Sequence, residues 1–309
     1  MSVGRIEAIC ISEKRGTRKH EIDTVNLVSQ HGLEGDAHAG KWHRQVSFLR
    51  KEDIERFKEE GANVRPGDFG ENFIISGLDK SILKIGATIY IGDSKLRISQ
   101  IGKECHDHCA IYYSVGRCVM PESGYFCEVE TPGTVRVGDE VRAEYVADDI
   151  PLRAAVITLS DRASEGTYED RSGKVIEDIL TAKGYEIIER IILPDDFEKL
   201  RSNLVRLCDQ RFPDLILTTG GTGFSRKDIT PEATIAVADR NVPGIAEAIR
   251  NESMKITKNA MLSRAVSVIR KNTLIINLPG SPKACAESID VFIDTIPHGL
   301  FILKGELFE

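Results

Sequence analysis

Residues 217–234 read LTTGGTGFSRKDITPEAT. An apolar run ends in threonine, Gly220, Gly221 and Gly223 follow closely, and a carboxylate at Asp228 precedes a helix signal at Thr230 and Pro231. Glycine admits positive φ, so such a loop can turn sharply while its backbone N–H groups face one way, an arrangement suited to phosphate. The same glycines would also serve a plain strand-to-helix turn. The GK[ST] ending of a Walker loop is missing. Asp228 adds information, because a carboxylate beside a phosphate loop repels the ligand unless a cation lies between them. It is therefore a candidate magnesium ligand, against the plainer reading of an exposed turn residue. Thr230 is expected to cap the helix and Pro231 to take its first position.

On either side of this stretch, short apolar strands at 154–160, 186–193, 214–219 and 273–278 alternate with amphipathic helices. The helices are expected at 172–183, at 196–211, as two or three through residue 270, and from 281 onward. This alternation predicts an α/β fold with a doubly wound, mostly parallel sheet and right-handed crossovers. Ligands of such sheets bind beyond the carboxyl ends of the strands. That edge gathers Ser160, Asp161 and Arg162, then Asp195, then Thr219, Gly220, Gly221, Thr222 and Gly223, then Pro279, Gly280, Ser281 and Lys283. Ser281 can cap the last helix, Pro282 suits its first turn and Lys283 adds positive charge there, which makes either a second anion site or simply a well-capped helix. Asp195 reads either as an ordinary N-cap or as a second metal-binding carboxylate.

Several motifs in order, VITLSDRASEG, LPDD, LTTGGTGFSRKDITPEAT and NLPGSPKA, make the stretch from about residue 152 to the end resemble the molybdopterin adenylyltransferase family, which is related to the molybdopterin-binding domains of gephyrin. The resemblance implies attack of the terminal phosphate of molybdopterin on the α-phosphorus of ATP, giving adenylyl-molybdopterin and pyrophosphate. By position it makes Asp195 and Asp228 the catalytic acids associated with Mg2+. It assigns the nucleotide and pterin phosphates to the two loops, lines the pocket with Ser160, Asp161 and Arg162, and implies a homotrimer. A phosphate nucleophile is already an anion, so alignment and charge neutralisation suffice without a strong general base. No obvious Ser, His, Asp or Cys, His set occurs in this half, in agreement.

Before residue 147 the pattern changes to short β-type runs between glycines, at 6–11, 46–49, 73–75, 87–91, 96–101 and 135–145, with a hairpin turning at Gly92 and Asp93 and one firm helix at 51–60. A mainly-β, barrel-like domain is expected over 1–147, separated by an acidic spacer from the α/β domain over 151–309. His38, His43 and Arg44 form either an anion-binding group or only a polar loop. Cys105, His106, His108 and Cys109 offer a zinc site, inert thiols, or a reactive thiol whose pKa Lys103 or His106 lowers. The motifs GLEGDAHAG, RPGDFGENFIISGL and IGATIYIGDSKLRIS resemble a MOSC domain, the fold also found at the C-terminus of molybdenum cofactor sulfurases. That resemblance implies Cys105 as the working cysteine, carrying sulfur or contacting the molybdenum cofactor. The crowding of His106, His108 and Cys109 around it departs from the commoner pattern.

The 309 residues carry a net charge of −7, which gives no general electrostatic reason to expect nucleic acid. No apolar stretch approaches the roughly 20 residues of a membrane span, and Arg5 and Glu7 interrupt any secretory signal, so the expected compartment is the cytoplasm. Seven cysteines, an odd number, are expected as thiols there. The expected ligands are small molecules, with molybdoenzymes or molybdenum-insertion proteins as candidate partners. Two readings compete: an adenylyltransferase whose MOSC domain binds or modifies the product, and a non-catalytic protein that stores or delivers the cofactor. Retention of both Asp195 and Asp228 favours the enzyme.

Overall fold

The structure is a computed structural model that describes residues 1–103, 110–146 and 150–304. It divides into two compact units, Met1–Ile150 and Pro151–Glu309.

In the first unit seven strands close into a barrel. Ser2–Ile11 pairs with Phe73–Ser76, which runs parallel to Val46–Arg50; then come Tyr125–Thr131, Ser94–Ile101, Thr88–Ile91 and Glu140–Glu144, which returns to Ser2–Ile11 with Ala143 opposite Ser2. Closure leaves no unpaired edge in the ring. Side chains alternate as a pleated strand requires: Ile89, Ile91, Leu96 and Ile98 are buried with Phe48, Phe73 and Tyr125, the rings of Phe48 and Tyr125 stacked at 4.8 Å. The helix Lys51–Glu59 covers the outside with Ile54 and Phe57 against Leu49, Phe126 and Cys10.

Two expectations for this unit change. The run 135–145 is two strands in different sheets, Gly133–Arg136 and Glu140–Glu144, because the chain must leave a small side sheet before rejoining the barrel. Tyr125–Thr131 is an additional strand. Its Cys127 and Val129 are buried while Glu130 meets Lys95 at 2.9 Å and Arg97 at 3.0 Å, so its acidic residues sit on the outer face.

The glycine-rich motifs of this unit converge on a buried polar network. Asp36 accepts from Lys19 Nζ (2.8 Å), Asn72 Nδ2 (2.8 Å) and the Ser12 backbone N–H (3.2 Å). Burial alone would raise the Asp36 carboxyl, but the ammonium and the amide donors outweigh it and hold it down to about 2. Glu71 beside it is fully buried and accepts from the Gly67 and Phe69 backbone N–H groups at 2.8 and 3.1 Å, yet burial still pushes its carboxyl up to about 7.

In the second unit the sheet order is Glu186–Leu193, Arg153–Leu159, Leu215–Thr219, Thr273–Leu278, Ser267–Arg270, Arg240–Asn241. The first four strands are parallel and the last two are antiparallel additions. Ala154, Val156, Leu215, Leu217 and Ile276 meet the helices Arg171–Ala182 and Pro282–Phe292 on one face. Ala155, Ile157, Ile216 and Ile275 meet the helix Phe197–Arg206 on the other, so both faces are covered and the strands read as continuous apolar runs. Residues 267–270 pair with Thr273–Leu278 as an antiparallel strand, where helices had been expected to run on to residue 270. Thr230 is also not the cap: the short helix Thr230–Ile235 has Ile229 in that position and no capping side chain. No helix among the described residues is long and apolar enough to cross a membrane.

Trp42, the single tryptophan, reports on the first unit alone. Glu71 keeps its proton up to about 7 when folded and loses it near 4.5 when unfolded, so the folded state binds more protons between these values and stability falls as pH rises through them. In urea unfolding followed by Trp42 fluorescence, the wild type should lose on the order of 2–3 kcal/mol between pH 4.5 and 7 relative to Glu71→Gln; equal slopes for the two proteins would contradict this assignment.

Candidate functional site

The chain leaves Arg153–Leu159, crosses to Glu186–Leu193 on one side, then returns to Leu215–Thr219 on the other. The order therefore reverses between Leu159 and Thr219, and the crevice beyond these two strand ends is where ligands of such sheets bind. Gly220 and Gly221 occupy it with φ of +94° and +64°. A Cβ on Gly220 would lie 2.4 Å from the Leu159 carbonyl oxygen, and one on Gly221 2.5 Å from Thr230 Oγ1, so any side chain at either position collides. Thr230 closes the turn by donating its hydroxyl to the Gly220 carbonyl (2.8 Å) and its N–H to that of Gly221 (3.1 Å). Its side chain is spent on the loop, which is why it does not cap its helix.

Both aspartates face this loop. The Cβ position of Gly221 is 3.5 Å from Asp195 Oδ1, and that of Gly223 is 2.9 Å from Asp228 Oδ2. Asp196, not Asp195, caps the helix Phe197–Arg206 by accepting from the Lys199 N–H (2.9 Å), which leaves Asp195 for the crevice. Asp228 Oδ2 accepts from the Ser225 N–H (2.9 Å). Asp161 joins the group: its Oδ1 accepts from the Asp195 N–H (3.1 Å) and its Oδ2 from Lys227 Nζ. Burial pushes the Asp195 carboxyl above the ordinary aspartate range, and the charges of Asp161 and Asp228 push the same way while Lys227 pulls against them. Lys227 and the Asp195 N–H lower the Asp161 carboxyl.

The second loop packs on the first, with the Cβ position of Gly280 3.5 Å from Gly220 Cα. Thr219 Oγ1 donates to the Pro279 carbonyl (2.6 Å), Cys285 Sγ donates to the same oxygen (3.0 Å), and Ser172 Oγ donates to the Gly280 carbonyl (2.8 Å). Ser281 caps the helix Pro282–Phe292 by accepting from the Ala284 N–H (3.2 Å). Ser160 caps Asp161–Ser164 in the same way, accepting from the Ala163 N–H (3.2 Å). Thr222 and Gly223 meet Pro279 and Gly280 across a cavity of about 310 Å³ walled by Ile249 and Leu262. Of the two expected cations, Arg162 lies 4.8 Å over the Tyr168 ring, and Lys283, 84% exposed, pairs with Glu287 at 3.7 Å.

In the first unit, His38 Nδ1 is 3.3 Å from Ser12 Oγ and 3.5 Å from Asp36 Oδ1, at the rim of the buried network. Arg44 stacks 4.6 Å over the Trp42 ring, whose Nε1 donates to the His38 carbonyl (3.2 Å), so Trp42 links the two residues. His43 Nε2 lies 2.9 Å from Gln100 Oε1, and Gln100 Nε2 donates to the Gly102 carbonyl (2.6 Å). Cys105, His106, His108 and Cys109 lie outside the described residues.

Residues 155–298 match the family model described as a probable molybdopterin binding domain. The chain is 43% identical over 157 residues to the molybdopterin adenylyltransferase of Escherichia coli strain K12, covering 48% of this chain and 80% of that one. The chain belongs to the molybdopterin adenylyltransferase family. The adenylyltransferase of Helicobacter pylori strain 26695 is 39% identical over 160 residues, covering 51% of this chain and 91% of that one. A solved structure, the molybdopterin biosynthesis enzyme MoaB of Thermus thermophilus, is 37% identical with a TM-score of 0.48, covering 51% of this chain and 99% of that one. Residues 35–142 match the MOSC domain model, so the chain joins a MOSC domain to an adenylyltransferase-family domain.

Within the adenylyltransferase-family domain the structure adds three residues to those singled out from sequence. Lys227 was legible as a cation between the glycines and Asp228. Ser172 and Cys285 were not, because each acts on a loop 108 and six positions away through a bond that only the folded chain makes. Gly220→Ala should lower the unfolding stability of this domain by at least about 2 kcal/mol, read by calorimetry, since it meets both positive φ and the Leu159 carbonyl; a neutral substitution would mean the loop has room that the geometry denies.

Proposed function

We propose that the adenylyltransferase-family domain transfers AMP from ATP to molybdopterin with Mg2+, releasing pyrophosphate, and that the MOSC domain binds the molybdenum cofactor or carries sulfur at Cys105. The observation that supports the first part most directly is the pair Asp195 and Asp228, both facing a glycine loop at the point where the strand order reverses.

The donor set suits magnesium. Asp161, Asp195 and Asp228 crowd one crevice with Lys227 as the cation set against them, and burial plus mutual repulsion already disfavour the charged form of Asp195. Among the described residues no group of three His, Cys, Asp or Glu side chains could hold a metal ion. Magnesium is ordinarily held by one or two carboxylates together with substrate phosphates, which matches Asp195 and Asp228 as its protein ligands. When bound, the ion would neutralise charge on the reacting phosphates. The protein's own contribution is positional. Gly220 to Gly223 and the Pro279 to Ser281 loop present backbone N–H groups to anionic oxygens, and their mutual contact keeps nucleotide and pterin phosphates at a set spacing. No proton need be removed from a phosphate nucleophile, so no general base is assigned.

Incubating the full chain with molybdopterin, ATP and Mg2+ should release pyrophosphate, whereas a carrier would bind molybdopterin without turnover. Asp228→Ala should fold normally and slow release by about 100-fold or more. Because burial raises the Asp195 carboxyl in the cation-free site, Mg2+ must displace a proton there at acid pH, so the half-saturating Mg2+ concentration should rise on acidification. Undiminished turnover of Asp228→Ala at saturating Mg2+ would end the assignment.

A further inference from the structure

Arg264 lies on neither anion loop and carries none of the signals that mark the site in sequence. It stands where the chain comes away from the short helix Lys258–Leu262 toward the strand Ser267–Arg270. Its backbone N–H donates to the Thr222 carbonyl (3.0 Å), Nε donates to the Gly223 carbonyl (2.7 Å), and Nη2 donates to the Asp228 carbonyl (2.6 Å). Nη1 pairs with the Glu232 carboxylate. One guanidinium thus grips both ends of the segment 223–228, and Glu232 neutralises its charge from the helix that follows.

We propose that Arg264 is a positioning residue for adenylyl transfer, a clamp that holds Gly223 and Asp228 at a constant separation so that the Asp228 carboxylate is presented to the metal and phosphates. This rests on the function proposed above. The segment between the clamped ends needs such a device. It contains the exposed Phe224 (71%), and its internal ties are the Ser225 N–H to Asp228 Oδ2 bond, the return bond from the Asp228 N–H to the Ser225 carbonyl (3.0 Å) and the Lys227 N–H to Ser225 Oγ bond (3.3 Å). Without the clamp these bonds would close only a local turn, tied to the strand-end loops through the exposed Lys227–Asp161 ion pair, which fixes neither of the carbonyls that Arg264 holds. The planar fork matters because Nε and Nη2 reach two carbonyls at once while Nη1 is held by Glu232; a lysine offers a point charge with no preset spacing. Arg264 does not touch the reacting groups, so its loss should act on the presentation of Asp228 and leave molybdopterin affinity largely unchanged.

The test uses the full chain in three forms: wild type, Arg264→Gln and Arg264→Lys. Hydrogen exchange, measured without ligands, should speed up about tenfold or more across residues 223–228 in both variants and stay unchanged across Arg153–Leu159. In pyrophosphate release the half-saturating Mg2+ concentration should rise about tenfold in both, with the KM for molybdopterin changed less than about twofold. Millimolar guanidinium should restore part of the lost rate in Arg264→Gln. Exchange that rises throughout the domain would assign Arg264 to general stability and overturn the proposal, as would wild-type behaviour of Arg264→Lys, which would show that charge alone suffices. If the wild type releases no pyrophosphate, the proposed function fails while the exchange comparison still judges the clamp.

Discussion

The candidate site depends on a close approach of backbone to backbone. The turn after Leu215–Thr219 passes so near the Leu159 carbonyl that Gly220 has no room for a Cβ, and the Pro279–Gly280 loop then packs on Gly220 in turn. Three strand ends are drawn into one patch by this contact. Side-chain hydroxyls complete it: Thr219 donates to the Pro279 carbonyl and Thr230 to the Gly220 carbonyl, so these backbone oxygens are satisfied within the protein.

Charge is arranged around that patch with the same economy. Burial first, and the neighbouring charges of Asp161 and Asp228 after it, raise the Asp195 carboxyl in the folded chain alone, and Lys227 offsets only part of the repulsion. On the function proposed above, a bound cation would relieve that repulsion. Asp196 shows the contrast: one residue further on, an aspartate caps a helix and has no part in the cluster.

The MOSC domain solves a different problem. Its glycine motifs place Lys19, Asp36 and Asn72 inside the unit, where an unmatched charge would be severely destabilising, and each of the three has a partner. His38, Trp42 and Arg44 are strung along the rim of that network, so their placement follows from a structural core rather than from a loop free to vary.

Much of this was legible in the residues. Period-two and period-3.6 patterns located the barrel hairpin, the Lys51–Glu59 helix and the four parallel strands, because burial of one face imposes its spacing on any chain that folds that way. The glycine loop and its two aspartates were also legible, since φ above zero and an isolated carboxylate leave local marks. Residues 125–131 and 267–270 escaped notice because strand pairing depends on a neighbour distant in sequence. Thr230, an apparent helix cap, and Arg264, an unremarkable arginine, took their roles from carbonyls at Gly220, Gly223 and Asp228 that approach only after folding. Local propensity and burial pattern are written residue by residue, whereas a hydrogen bond across 36 positions exists only once tertiary packing has brought donor and acceptor together.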